Sequence, residues 1–430
     1  MVRQFLTQYK HLIKEGGWVF TGQISVAIIS LVGLRILTEI APANILGGAT
    51  LLLGILTLLR NIFIAPIGNT QIRFHPEYVN TGNAKWFDDN IRKLYLKLLV
   101  VSIIVFILIY FIWVYYSSFS INLLLLLILI LYYSFDAIKG YKINRLSAER
   151  RQKYAALWQI ADVLLINTFF IVFLIYYTNV ESYLAGQGFG LLVGLIFFGF
   201  IFFPKIKNKE TAIPDVSEIK TKVIKYGLPF VPLAIVSWIS NLGDRYIISN
   251  YLTLNEVGIY TATYSIASRP ILMFYGIMSG LLRPILFQAE GIGNTNKAKI
   301  IFKHWITVLI LSAIIIFICY LFLGKIIINL LLAANYRENN FPIFMIIAAS
   351  YLIYGIVQTF ESRLYSVELT KNTILPSSLA AGFNIIMNYL MIPCLGIMGA
   401  AFASLISFSV HLFIVLMVYY SKVSKSEKNS

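Results

Sequence analysis

The sequence predicts an all-α integral membrane protein with about twelve transmembrane helices in two six-helix lobes. Three observations carry that prediction. Hydrophobic residues make up 59% of the chain and charged residues only 13%, about half the charged share a soluble domain uses to cover its surface. The apolar residues come in blocks long enough for helices of about 20 residues to cross a hydrocarbon core of about 30 Å. Lysine and arginine crowd into every second loop, as they do in loops on the cytoplasmic side of a membrane.

The elements follow in order. Residues 1–16 place Phe5, Leu6, Tyr9, Leu12 and Ile13 on one face and Arg3, Lys10 and Lys14 elsewhere, the pattern of a short interfacial helix on an anionic leaflet. The first span then serves as an uncleaved anchor. Spans are read over 17–40, 45–72, 95–116, 121–140, 155–178 and 182–203, then 224–249, 257–284, 304–323, 341–362, 372–392 and 396–420. A basic linker, 204–223, separates the lobes 1–203 and 224–420, and 421–430 forms a tail. Span six carries Gly186, Gly190 and Gly194 at four-residue spacing, which suits close helix packing. Pro66 interrupts span two, Pro229 and Pro232 open span seven, and Pro270 and Pro284 follow Arg269 and Arg283. Proline leaves a carbonyl unpaired and kinks a helix, tolerable in a membrane where a cavity or neighbour satisfies it. Cys319 and Cys394 lie in apolar spans with neither metal-ligand nor disulfide spacing, so packing is their expected role.

The formal net charge of +16 suggests nucleic acid until its distribution is read. With the N-terminus inside, 29 of the 35 lysines and arginines fall in inside segments, and the outside loops hold only Lys325 and Arg337. The basic charge is topology. Both termini are expected in the cytoplasm, and no nucleic-acid partner is expected.

Shifting the chain by 210 residues lays span seven on span one. Gly17 meets Gly227, Phe20 meets Phe230, Gly33 meets Gly243, Arg35 meets Arg245, Gly48 meets Gly258 and Arg73 meets Arg283. A second match pairs Arg145-Leu146 with Arg363-Leu364 and Lys153 with Lys371. Parallel repeats of this kind place a transporter's substrate between the lobes.

Four arginines fall inside spans: Arg35, Arg60, Arg245 and Arg269. At a rise of 1.5 Å per residue, Arg60 and Arg269 lie roughly 18–21 Å deep. An intramembrane arginine costs roughly 2.5–3.5 kcal/mol on insertion scales and normally faces a wet cavity or a partner. Arg35 has Glu39 one turn later, so an intrahelical pair is open to it. Arg245 follows Asp244, but helix neighbours point about 100° apart, which favours pairing with other helices. Arg60 and Arg269 have no acidic residue within four positions, so their counter-ion comes from another helix or from a substrate. Asp136 has Lys139 a turn away and reads as structural, as does Glu361 near Arg363. Asp162 has no such neighbour and reads as a counter-ion or a proton-coupling site. Cations then outnumber carboxylates at mid-depth, and a cavity lined that way attracts a phosphate or diphosphate through bidentate arginine contacts.

The four histidines form no ligand cluster, and no glycine-rich phosphate loop or nucleophile motif occurs. No cofactor is expected.

The segment Gly227-Leu-Pro-Phe-Val-Pro232, then Asn241-Leu-Gly-Asp-Arg-Tyr-Ile-Ile248, then Glu256-Val-Gly-Ile-Tyr-Thr-Ala-Thr-Tyr264, resembles the signature of Wzx-type flippases. These form the polysaccharide-transport branch of the multidrug/oligosaccharidyl-lipid/polysaccharide (MOP) exporter superfamily. Span twelve, opening Gly396-Ile-Met-Gly-Ala-Ala-Phe-Ala-Ser404, is similar to that family's last helix. The resemblance implies a MATE-like MOP architecture in a bacterial inner membrane. It implies carriage of undecaprenyl-diphosphate-linked oligosaccharide, such as an O-antigen repeat unit, from the cytoplasmic to the periplasmic leaflet. Arg35, Arg60, Arg245 and Arg269 match a cationic cavity for the anionic head group, with Asp244, Asp162 and Glu39 as counter-ions or as sites coupled to H+ or Na+. A polysaccharide polymerase and a chain-length regulator are the partners implied besides the lipid-linked oligosaccharide and the bilayer. Two alternatives stand beside this reading: a drug/cation antiporter of the same superfamily, which should line its cavity with carboxylates, and a membrane enzyme of glycan assembly, which needs a long external loop or a histidine-centred motif.

Overall fold

A computed structural model describes residues 10–117, 122–201, 216–337 and 340–424. Most of the interfacial segment read over 1–16, linker residues 204–215 and the tail beyond 424 lie outside the described residues. The first half comprises α1 (Lys10–Ile40), α2 (Ala43–Leu59), a π-helical turn (Arg60–Ile64), α3 (Ala65–Asn80), α4 (Ala84–Ser117), α5 (Leu123–Ala148), α6 (Gln152–Tyr176) and α7 (Val180–Ile201). Then come α8 (Val216–Lys222), a second π turn (Val223–Gly227), α9 (Phe230–Tyr251), α10 (Leu254–Gly291), α11 (Thr295–Leu331), α12 (Asn340–Ser366), α13 (Ile374–Leu395) and α14 (Ile397–Tyr419). Among the described residues there is no strand.

Among the described residues, eleven helices are long and apolar enough to span a membrane, and the count reaches twelve if Ile219–Gly227 and Phe230–Tyr251, bent by 42°, are one span. Pro229 lies at that break. Several helices overrun the spans read from hydropathy. α10 has 38 residues and α11 has 37, because their polar ends continue the helix past the apolar block. Both helices start on capping residues: Thr253 and Glu256 form a capping box at α10, and the Asn294 side chain accepts from the Lys297 N–H at α11.

The chain forms two compact units. The first takes the described residues up to Gly33 with Leu51–Ile235, and the second takes Leu34–Thr50 with the described residues from Val236 onward. In the first unit, α6 and α7 pack backbone to backbone along the glycine stripe. A Cβ at Gly190 would lie 2.7 Å from the Ile166 Cα, and one at Gly194 would strike the Asp162 carboxylate. The stripe therefore serves packing, as its spacing predicts. In the second unit, α2 meets α10 just as closely. Gly258 lies against the carbonyl of Ala43, and Gly47 against that of Leu254, positions nearly equivalent in the 210-residue repeat. Trp305, Phe360, Leu364 and Val415 form the core among α10, α11, α12 and α14.

Exposed surfaces are apolar, as on Ile315, Phe322, Leu330 and Phe413, which suits lipid as the surrounding solvent. Cys319 and Cys394 are exposed on that surface. The packing role expected from their apolar surroundings is corrected: in a helix facing lipid, an apolar neighbourhood does not imply a buried position.

Candidate functional site

The site in the first unit begins with a proline. Pro66 has no N–H, and its ring crowds the carbonyl four residues back. The helix widens just before it, and the Ala65 N–H donates to the Arg60 carbonyl, five residues earlier. The π turn that results starts at Arg60. Arg60 Nη1 lies 2.9 Å from Asp136 Oδ2 on α5. Lys139, one turn further along α5, places Nζ 3.3 Å from Asp136 Oδ1 and 3.7 Å from Asp162 Oδ2 on α6. The indole of Trp158 donates to Asp162 Oδ1 at 3.1 Å. Two cations and two carboxylates thus alternate across three elements.

This corrects the expected excess of positive charge at this depth. Asp136 and Lys139, read as a local structural pair, are the centre of the network, and the counter-ion of Arg60 comes from a neighbouring helix. The four members differ in access. The Arg60 side chain is 43% exposed, whereas that of Asp162 is 3% exposed. Arg60 is the open end of the chain of charges and Asp162 the closed end. Asp136 has two partners, so Arg60 can turn to an anion without leaving a buried carboxylate unpaired.

In the second unit, Asp244 and Arg245 pair with each other at 2.6 Å, against the expectation that helix neighbours diverge too far. The guanidinium folds back along α9, where Nη1 also donates to the Asn241 carbonyl, a direction that side chains on a helix favour. It lies 3.9 Å over the ring of Tyr264. Tyr260 donates to Asp244 Oδ2 at 2.8 Å, Tyr264 and Tyr351 share a hydroxyl hydrogen bond, and Tyr351 donates to Asn241 Oδ1. Asp244 and Arg245 are 1% and 3% exposed. This is a buried ion pair in a tyrosine cage, and Arg245 presents no open cation here. The cage was missed in sequence, although Tyr260 and Tyr264 stand one helical turn apart.

Arg35 takes the intrahelical option and pairs with Glu39. Two thirds of its side chain is buried, and Nη1 has no hydrogen-bond partner. Arg269 is exposed, one residue before Pro270 on α10. The structure thus brings Arg60 and Asp162 into one network, Asp244 and Arg245 into another, and Arg35 and Glu39 into a third. The arginines paired by the weaker repeat match are also alike: Arg145 meets Asp88 at 3.1 Å on α4, and the buried Arg363 meets Glu290 on α10. Each ties its helix to a carboxylate on another.

Residues 12–290, well over half the chain, match the family model described as polysaccharide biosynthesis protein. No curated protein matches the chain significantly. Solved structures share its fold. An inward-facing multidrug resistance MATE transporter of the MOP superfamily aligns with a TM-score of 0.71 at 12% identity, over 96% of this chain and 99% of that one. The lipid II flippase MurJ, in an inward closed conformation, aligns with a TM-score of 0.68 at 15% identity, over 94% and 87%. A MOP superfamily transporter from Pyrococcus furiosus, described as having a binding pocket of reversed polarity, aligns with a TM-score of 0.65 at 13% identity, over 96% and 97%. A multi-pass helical chain with the fold of MOP-superfamily transporters, this protein belongs to the polysaccharide biosynthesis protein family.

Proposed function

We propose that this protein is a flippase that carries undecaprenyl-diphosphate-linked oligosaccharide, an O-antigen or similar lipopolysaccharide repeat unit, from the cytoplasmic to the periplasmic leaflet by alternating access. One observation carries the reading: a polysaccharide-biosynthesis family match on a transporter fold that a lipid II flippase also adopts. The protein would sit in a bacterial inner membrane with both termini cytoplasmic, working beside a polysaccharide polymerase and a chain-length regulator, and would itself be no enzyme.

Arg60 is the residue we place on the diphosphate, with Arg269 as a second cation. A phosphate oxygen replaces Asp136 on the guanidinium, and Lys139 closes on Asp136. Asp162 then loses its nearest cation and takes up H+ or Na+, which gives a route for coupling. Arg35 and Arg245 would contribute only if their pairs with Glu39 and Asp244 opened during the cycle.

The test is surface-glycan display in a strain lacking the native gene. Arg60→Glu and Arg269→Glu should abolish display at normal protein level, and Arg60→Lys should retain part of it. Wild-type glycan in both Glu variants would remove these residues from the mechanism.

The balanced charge of the Arg60 network favours a second reading, a drug/cation antiporter, since it leaves two carboxylates at the site. Overexpression should leave drug susceptibility unchanged under the flippase reading. A rise in resistance that Asp162→Asn abolishes would support the antiporter.

A further inference from the structure

One cavity of the first unit lies outside the charge network. Its volume is about 420 Å³, within the range of small-molecule sites. Its walls come from the first π turn and the start of α3 (Ile62, Phe63, Pro66), from α4 (Leu94, Leu98) and from the bent stretch 220–231, and Lys220 is its one polar lining residue. The cavity arises where two kinked stretches cross. Pro66 forces the π turn, and Gly227 lies so close that a Cβ there would come within 2.8 Å of the Pro66 carbonyl oxygen. The bend at Pro229 then carries α9 away from that crossing. The trough stays open along one side, where Ile224 and Leu228 are 60% and 56% exposed.

The rim is basic. Lys222 is occupied, donating to Glu77 at 2.9 Å and to the Tyr78 hydroxyl at 3.0 Å, and so pins this stretch to α3. Lys220 is exposed at the mouth, and among the described residues no carboxylate pairs with it. An apolar trough with Lys220 at its mouth, a cation that meets no carboxylate among the described residues, has the polarity of an amphiphile with an anionic head and a hydrocarbon tail.

We infer that this trough holds the first isoprenoid units of the polyprenyl diphosphate, with the Lys220 ammonium on a phosphate oxygen. The inference rests on the flippase reading. Continuity selects that lipid over a bulk phospholipid. The five-residue turn Arg60–Ile64 supplies Ile62 and Phe63 to the trough and Arg60 to the charge network. A tail seated there fixes the geometry of the turn that carries the head-group arginine.

The experiment uses the full-length protein in phosphatidylcholine nanodiscs, with a diazirine-bearing polyprenyl diphosphate as photoprobe and a diazirine-bearing phosphatidylglycerol as control. The polyprenyl probe should label peptides within 84–117 and 216–231. Leu98→Trp, which fills the trough, should cut that labelling by about tenfold, as excluding a few methylenes would. Lys220→Glu should cut it by at least about fivefold, since it removes one lipid-facing positive charge and sets a negative one in its place, and Lys220→Arg should retain it. Labelling elsewhere, equal labelling and competition by the phosphatidylglycerol probe, or protection of the trough by cross-links to a second copy would overturn the assignment. If Leu98→Trp does not fold, the exposed Lys220 decides: undiminished labelling in Lys220→Glu overturns it. Because labelling is read without transport, the two readings fail separately. A labelled trough with Arg60-independent glycan display sinks the head-group role alone, and an unlabelled trough with Arg60-dependent display sinks the trough alone.

Discussion

At the residue scale, the useful distinction among the intramembrane charges is how each is shared. Asp136 serves both Arg60 and Lys139. Removing Arg60 leaves a pair behind, whereas removing Asp136 leaves two cations competing for Asp162. Asp136→Asn should therefore lower the unfolding temperature of the purified protein more than Arg60→Gln does. The double variant should be more stable than Asp136→Asn alone, because Lys139 and Asp162 then remain balanced. Equal losses in the two single variants would refute the shared-carboxylate account. Asp244 and Arg245 behave differently because both are buried. Breaking such a pair from one side strands a charge, at about 3–5 kcal/mol, so Asp244→Asn should unfold at markedly lower temperature. A thermal melt that stays put would show that water or lipid headgroups reach the cage.

At the scale of the element, proline and glycine decide where helices bend and how near they come. Pro66→Ala restores an N–H and allows regular α-helical bonding through residues 60–66. The variant should be at least as stable as wild type yet display less glycan, since straightening the turn re-aims Arg60 away from Asp136. A variant equal to wild type in glycan display would mean that the π turn is only a consequence of the proline. Gly258→Ala tests the crossing of α2 and α10. The new methyl would overlap the Ala43 carbonyl, and backbone cannot yield as a flexible side chain can. A destabilisation of about 1–3 kcal/mol is expected from overpacking, measurable by thermal unfolding in detergent. The elements themselves were legible in the sequence, because about 20 apolar residues in a row allow little but a spanning helix. Their ends were not, because hydropathy marks only the lipid-facing stretch and α11 runs on to 37 residues.

For the whole molecule, the distribution of lysine and arginine makes a topological prediction. With both termini cytoplasmic, a cysteine at Arg337, placed in a chain whose Cys319 and Cys394 are replaced by alanine, should react with a membrane-impermeant maleimide added to intact cells. A cysteine at Lys153 should react only after the cells are opened. Reversed labelling would invert the topology, and with it the face from which the substrate is loaded.

The class of fold, the number of spans to within one and the places where charge would be expensive could be read from residue order alone, because each follows from the energetics of a chain in hydrocarbon. The glycine stripe and the option of a pair between Arg35 and Glu39 were legible too, because both depend only on helical periodicity. Which charge meets which depended on how the helices pack. Asp136 lies 76 positions from Arg60, and Tyr351 lies 87 from Tyr264. A hydrogen bond forms across about 3 Å of space with no regard to distance along the chain, so no local pattern marks these partners.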